Sequence, residues 1–266
     1  MLTAGLDIGS TTCKAVIMDD GETILARAVV PLGTGTAGPG MVFERVLETA
    51  NLARADLDRV MLTGYGRFSF EGADSQMSEV SCHARGIRYL LPTARTVIDI
   101  GGQDIKVLRL AATGMLENFI MNDKCAAGTG RFLDVMAGVM NVKTTDLGPL
   151  SAGAEEEVSI SNTCTVFAES EVISKLSSGV RLEDLVAGIH TSVAKRVAGL
   201  AHRAGLAADI AMSGGVALNA GIVKALGREL KHDILVHPDC QLAGAIGAAL
   251  LARNAQPLSA GLSTVN

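Results

Sequence analysis

The chain has 266 residues, near the ~250–300 at which a single hydrophobic core gives way to two. Hydrophobic residues make up 48% and charged residues 19%, a composition that excludes intrinsic disorder. The balance of 28 acidic against 23 basic residues (net −5), with 3% aromatics and no Trp, argues against nucleic acid as main partner, a role that needs a basic footprint and stacking rings.

The N-terminus, MLTAGLDIG, lacks the basic region and apolar stretch of a secretory signal. No apolar run approaches the ~18 residues a bilayer span requires. The expectation is a soluble cytoplasmic protein with no membrane partner. Its five cysteines, Cys13, Cys82, Cys125, Cys164 and Cys240, form no CxxC pair, so free thiols are the default in a reducing compartment. Zinc-ribbon spacing and HExxH are absent, and any metal centre has to be built from cysteines distant in sequence.

Three strands open the chain, at Thr3–Asp7, Cys13–Met18 and Thr23–Val30, with turn-rich Gly9–Thr11 and Asp19-Asp20-Gly21 between them. The segment Gly33–Gly40 contains a GxGxxG match. Pro39-Gly40 breaks the helix that motif needs, and Asp56 and Asp58 precede the next strand instead of ending it, so a flexible loop is expected there and not a Rossmann site. A helix at Met41–Ala53, a strand at Arg59–Thr63 and an exposed turn at Gly64-Tyr65-Gly66-Arg67 follow.

Near residue 95 the opening recurs. Thr96–Ile100, Ile105–Leu110 and Leu116–Met121 read as strands, and Asp-Ile-Gly at Asp7 returns at Asp99, 99 − 7 = 92 residues later. This predicts a duplicated three-strand meander, one copy per lobe. Helices are expected at Arg131–Met140, Val166–Ser178 and Leu182–Ala204, the last with Leu185, Ile189, Val193 and Val197 on one face. A strand at Asp209–Met212 leads through Ser213-Gly214-Gly215 to a helix from Val216, and a last helix, Leu242–Ala252, carries Gly244 and Gly247 on one side. The expected fold class is α/β with duplicated mixed sheets. One lobe is residues 1–94 completed by the C-terminal helix 241–254; the other is residues 95–240.

Three small-residue turns at strand ends are candidate nucleotide contacts. Gly9-Ser10-Thr11-Thr12 and Gly101-Gly102-Gln103 bare backbone N–H groups that can cradle phosphate oxygens, and Gly214-Gly215 permits close approach to a base or ribose. Lys14 either reaches a phosphate or is an ordinary solvated lysine. Gln103 either positions an attacking water or shapes its hairpin. Asp7 and Asp99 are candidates to hold Mg²⁺ through water. Their order along the chain resembles the actin, sugar-kinase and Hsp70 ATPase superfamily, which implies two lobes closing on ATP.

Cys125 and Cys164 each sit in a polar, small-residue segment ahead of a helix, where amides and the helix dipole favour a thiolate. Two thiolates are half of a Cys₄ cluster site, and a two-fold dimer would bring two such pairs together. Cys13, Cys82 and Cys240 lack that setting and read as small buried hydrophobes.

The motifs NDKCAAGTGRFLD (Asn122–Asp134), SNTCTVFAESEVISKL (Ser161–Leu176), DIGSTTCK (Asp7–Lys14), TGYGR (Thr63–Arg67) and VIDIGGQD (Val97–Asp104) closely resemble the 2-hydroxyacyl-CoA dehydratase activators. The same group holds the benzoyl-CoA reductase ATPase subunits. The resemblance implies a homodimer with one [4Fe–4S] cluster ligated by Cys125 and Cys164 of each subunit, and Mg–ATP in each. It further implies ferredoxin or flavodoxin as electron donor and an iron–sulfur 2-hydroxyacyl-CoA dehydratase as acceptor. Asp7, Asp99 and Gln103 are then the expected catalytic residues of ATP hydrolysis.

Competing readings are an ATPase subunit of a benzoyl-CoA-type reductase, an actin-fold kinase using Asp123 as base, and a nucleotide-gated scaffold without iron.

Overall fold

The computed structural model describes residues 1–156, 158–161 and 164–255. Asn162 and Thr163 of the second cysteine motif lie outside the described residues. The contacts divide the chain into two compact units, Met1–Tyr89 with the segment from Leu242 on, and Leu90–Gln241.

The first unit is built on a five-stranded sheet of order β3-β2-β1-β4-β5. Its strands are β1 (Leu2–Ile8), β2 (Cys13–Asp19), β3 (Thr23–Val30), β4 (Arg59–Thr63) and the short β5 (Ser75–Gln76). β1, β2 and β3 form an antiparallel meander; β4 joins β1 in parallel and β5 joins β4 in parallel. Ala4, Leu6 and Ile8 of β1 pack with Val42 and Val46 of helix α1 (Gly38–Ala50) in one core cluster. Helix α1 starts three residues before the expected Met41. Pro39 is tolerated because the N–H groups of a first helical turn have no partner within the helix. The helix ends at Asn51, whose left-handed φ of 54° terminates it short of the expected Ala53.

In the segment expected as a flexible loop, Gly33 and Thr34 are packed while Gly35 and Thr36 are exposed. Thr34 N donates to Gly9 O at 2.9 Å, and a Cβ on Gly33 would collide with the backbone of Ser10. A helix not expected from sequence, α2 (Glu79–Leu90), completes this part of the chain.

The second unit repeats the plan. Its sheet has the order β10-β9-β6-β7-β8, with β6 (Thr96–Ile100), β7 (Ile105–Leu110) and β8 (Leu116–Asn122) antiparallel. β9 (Ile210–Ser213) is parallel to β6, and β10 (Ile234–Leu235) is parallel to β9. Read from the outer meander strand inward, the two sheets have the same order and the same strand directions, as the 92-residue repeat predicts.

Helices α3 (Gly130–Val139), α4 (Leu147–Ala152), α5 (Thr165–Ser177), α6 (Leu182–Ala204) and α7 (Ala220–Leu230) belong to this unit. Phe132, Met136, Leu185, Ile189, Val193, Val197, Ile222 and Leu226 share one core with Ile98 and Ile100. The helix expected from Val216 begins as a 3-10 turn, Gly215–Leu218. The α-helix proper starts after Asn219, whose side chain accepts from Gly221 N and Ile222 N. The last helix, α8 (Ala243–Ala252), returns to the first unit and packs on β1, β2 and β4. No described helix is long and apolar enough to cross a membrane.

Candidate functional site

The strand pairing places the same side chains together in each unit. Asp7 stands opposite Lys14 on β2 and beside Thr63 on β4; Asp99 stands opposite Lys106 on β7 and beside Ser213 on β9. The lysines keep the offset of the aspartates, 106 − 14 = 92. Each hairpin turn closes alike, Gly9 N donating to Thr12 O at 3.1 Å and Gly101 N to Asp104 O at 3.0 Å. Glycines follow Thr63 and Ser213 for one reason. Gly64 (φ +89°) and Gly214 (φ +83°) adopt left-handed backbones, and a Cβ on either would meet the carbonyl of Ile8 or Ile100 and the neighbouring aspartate. The turn expected to be exposed at 64–67 is therefore half internal: Gly64 and Gly66 are buried against β1 while Tyr65 is exposed.

The two aspartates differ in what surrounds them. Asp99 Oδ1 accepts from Ser213 Oγ at 2.8 Å, and Oδ2 lies 3.5 Å from Lys106 Nζ, which also holds Asp104 at 2.7 Å. Lys106 is 1% exposed, an ammonium kept in the interior by two carboxylates. Asp7 Oδ2 lies 3.4 Å from Lys14 Nζ, but its Oδ1 is buried without a hydrogen-bond partner among the described residues. A hydrated Mg²⁺ would satisfy such an oxygen, so the donor set fits a magnesium ion at Asp7 better than at Asp99. Lys14 is half-buried on that ion pair, not freely solvated.

Gly9, Ser10, Thr11, Thr12, Gly101 and Gly102 are all half-buried at the turns, Gln103 is exposed, and Gly214 is buried beside exposed Gly215. Sequence reasoning missed Lys106 and Thr63. Shifting Lys14 by the repeat length would have found the first.

The five cysteines separate by environment. Cys13, Cys82 and Cys240 are sealed in the cores, and burial pushes their thiols up to about 11, about 12 and about 11. Cys125 and Cys164 are half-buried. Cys125 lies in the loop between β8 and α3, its carbonyl accepting from Asn122 Nδ2 at 3.2 Å. The first amides of α3 then donate to the second hairpin, Gly130 N to Gly101 O at 2.9 Å and Arg131 N to Gly102 O at 2.8 Å. Cys164 directly precedes α5, and its carbonyl accepts from Ala168 N at 3.0 Å. Val166 and Phe167, in the first turn of α5, are exposed apolar side chains. Helix α3 packs against α5, so the segments that follow the two cysteines share one contact surface. Two accessible thiols in polar loops suit an iron–sulfur cluster, and the three sealed ones do not. Asp123, the alternative kinase base, is exposed.

Known proteins share this fold. The chain is 57% identical over 252 residues to the 2-hydroxyisocaproyl-CoA dehydratase activator of Clostridioides difficile, covering 95% of each. The crystallised activator of the 2-hydroxyisocaproyl-CoA dehydratase from Clostridium difficile, with bound ADPNP, superposes with a TM-score of 0.93 at 54% identity, over 98% of this chain and 100% of that one. A ROK family glucokinase from Streptomyces griseus, at 15% identity, shares the fold with a TM-score of 0.59 over 96% of this chain and 100% of its own, which identifies an actin/sugar-kinase architecture. The profile of the BadF/BadG/BcrA/BcrD ATPase family matches residues 4–252, and the chain belongs to that family of ATPases.

Proposed function

We propose that this ATPase delivers single electrons to an iron–sulfur 2-hydroxyacyl-CoA dehydratase, through a [4Fe–4S] cluster held by Cys125 and Cys164 of two copies of the chain. When bound, the cluster supplies a one-electron carrier. Ferredoxin or flavodoxin is the proposed donor, and the setting is cytoplasmic. The phosphates of ATP are assigned to Gly9, Ser10, Thr11, Thr12 and Lys14 on one hairpin and to Gly101, Gly102 and Gln103 on the other, with Gly214 and Gly215 near the nucleoside. Asp7 and Asp99 are the proposed magnesium and catalytic carboxylates, and Gln103 the residue that orients water.

The observation that carries the reading is the seam between α3 and the second hairpin. Gly101 and Gly102 would feel a γ-phosphate directly, and their carbonyls accept from the first amides of the helix that follows Cys125. A change in the hairpin therefore transmits to the amides and solvent around that thiol, two levers on a cluster's potential. The activator relatives and the ATPase family support the acceptor and the energy source.

The test is oxygen-free purification with iron, sulfide and ATP turnover measured on one sample. Brown protein with about four irons per dimer is expected. Cys125→Ala should lose the iron and keep nucleotide binding; full iron retention in that variant would falsify the assignment. Iron bound only beside a paralogous second chain would favour the benzoyl-CoA-type reading instead.

A further inference from the structure

Within the second unit, α4, α6 and α7 line a half-open pocket of about 320 Å³ that includes Ser151, His190, Gly221, Lys224 and Arg228. His190 is 1% exposed, and its Nδ1 has no hydrogen-bond partner among the described residues. Its tautomer follows from its neighbour. Asn219 Oδ1 is committed to Gly221 N at 3.0 Å and Ile222 N at 3.2 Å, which turns the amide Nδ2 toward His190 Nε2 at 3.3 Å. An amide nitrogen can only donate, so Nε2 accepts and the ring proton sits on Nδ1. The result is a buried N–H without an acceptor, an arrangement native proteins seldom leave unfilled.

The surroundings select what would accept from it. Ser151 Oγ and His190 Nδ1 both lie against Gly221, where a Cβ would strike each of them. Gly221 is also in the first turn of α7, where the helix dipole favours negative charge. Lys224 and Arg228 follow on the same helix at spacings of three and four residues, on the wall of the cavity. Two carboxylates also line it: Glu155 is paired with Arg181, and Glu156 is exposed to solvent. We propose that this cavity is a binding site for a small oxyanion, a carboxylate or phosphate group, seated on His190 Nδ1–H and Lys224 and separate from the nucleotide-binding residues.

The test uses the full-length protein labelled with ¹⁵N at histidine, titrated with inorganic phosphate and with acetate while the His190 Nδ1–H resonance is followed. A saturable shift is expected with at least one probe. Its midpoint should move at least threefold in Lys224→Gln, a change at an exposed side chain that leaves the fold intact. An Nε2–H tautomer, a linear response identical in Lys224→Gln, or no response to either anion would overturn the proposal. Blocking of the shift by adenosine would also overturn it, by assigning the cavity to the nucleotide.

Discussion

His190 illustrates how one buried side chain sets a pH dependence. Burial lowers its pKa from the ordinary 6.5 to about 4, because an imidazolium there would lose its water. The sign follows from linkage. Between pH 6.5 and about 4 the unfolded chain takes up a proton that the folded chain refuses. The stabilisation is thus complete above pH 6.5 and is lost as pH falls toward 4, on the order of 3 kcal/mol in total. The comparison is made against His190→Gln, which keeps a polar side chain. Denaturant midpoints across pH 7 to 4 should fall more steeply in the parent than in the variant. Parallel curves would mean that His190 is charged in the folded protein or that water reaches it.

Glycine placement sets how closely elements approach. A Cβ on Gly247 of α8 would strike the carbonyl of Cys82 in α2, and a Cβ on Gly86 of α2 would strike that of Ala243 in α8, so these two helices meet backbone to backbone. Gly5 does the same for β1 against Ala245 and Ala249. Backbone cannot move aside as a side-chain tip can. Gly247→Ala should therefore destabilise by about 2–3 kcal/mol or more. Gly199→Ala, inside α6 with open space around it, should stabilise by about 0.5–1 kcal/mol. Thermal melts of the two variants are expected to move in opposite directions, and a shared sign would refute the packing argument. The same contacts explain what was legible in the sequence. β1 to β3 were readable because apolar strands end at turn residues. Helix α2 was not, because its buried face is only Cys82, His83, Ala84, Gly86 and Ile87, too small and polar to announce itself; its partner's glycines make the fit.

Duplication governs the whole chain, and it bounds what sequence alone could reveal. Asp7 and Asp99 were visible as twins, and so were their turns. The lysine opposite each needed strand register, the tautomer of His190 needed the cap at Asn219, and neither is written in local pattern. The repeat also has an uneven consequence at the C-terminus. Residues 90–241 are contiguous, whereas the first unit borrows α8 from the end of the chain. Nine of the ten residues of α8 are buried, among them Ile246 and Leu250, so it is apolar on every side as only an interior helix can be. Removing it would bare the face of β1 that carries Gly5 and leave Met61 and Cys82 without Ala248 and Ala252, with which they cluster. A chain ending after Gln241 should accordingly lose amide protection in β1, β2 and β4, with unit-one strands exchanging at the rate of unfolded peptide, while β6, β7 and β9 retain slow exchange. Hydrogen exchange read strand by strand decides it. Protection surviving in β1 would show that α8 merely covers a sheet already stable through α1, and equal loss in both sheets would show that the two units fold as one.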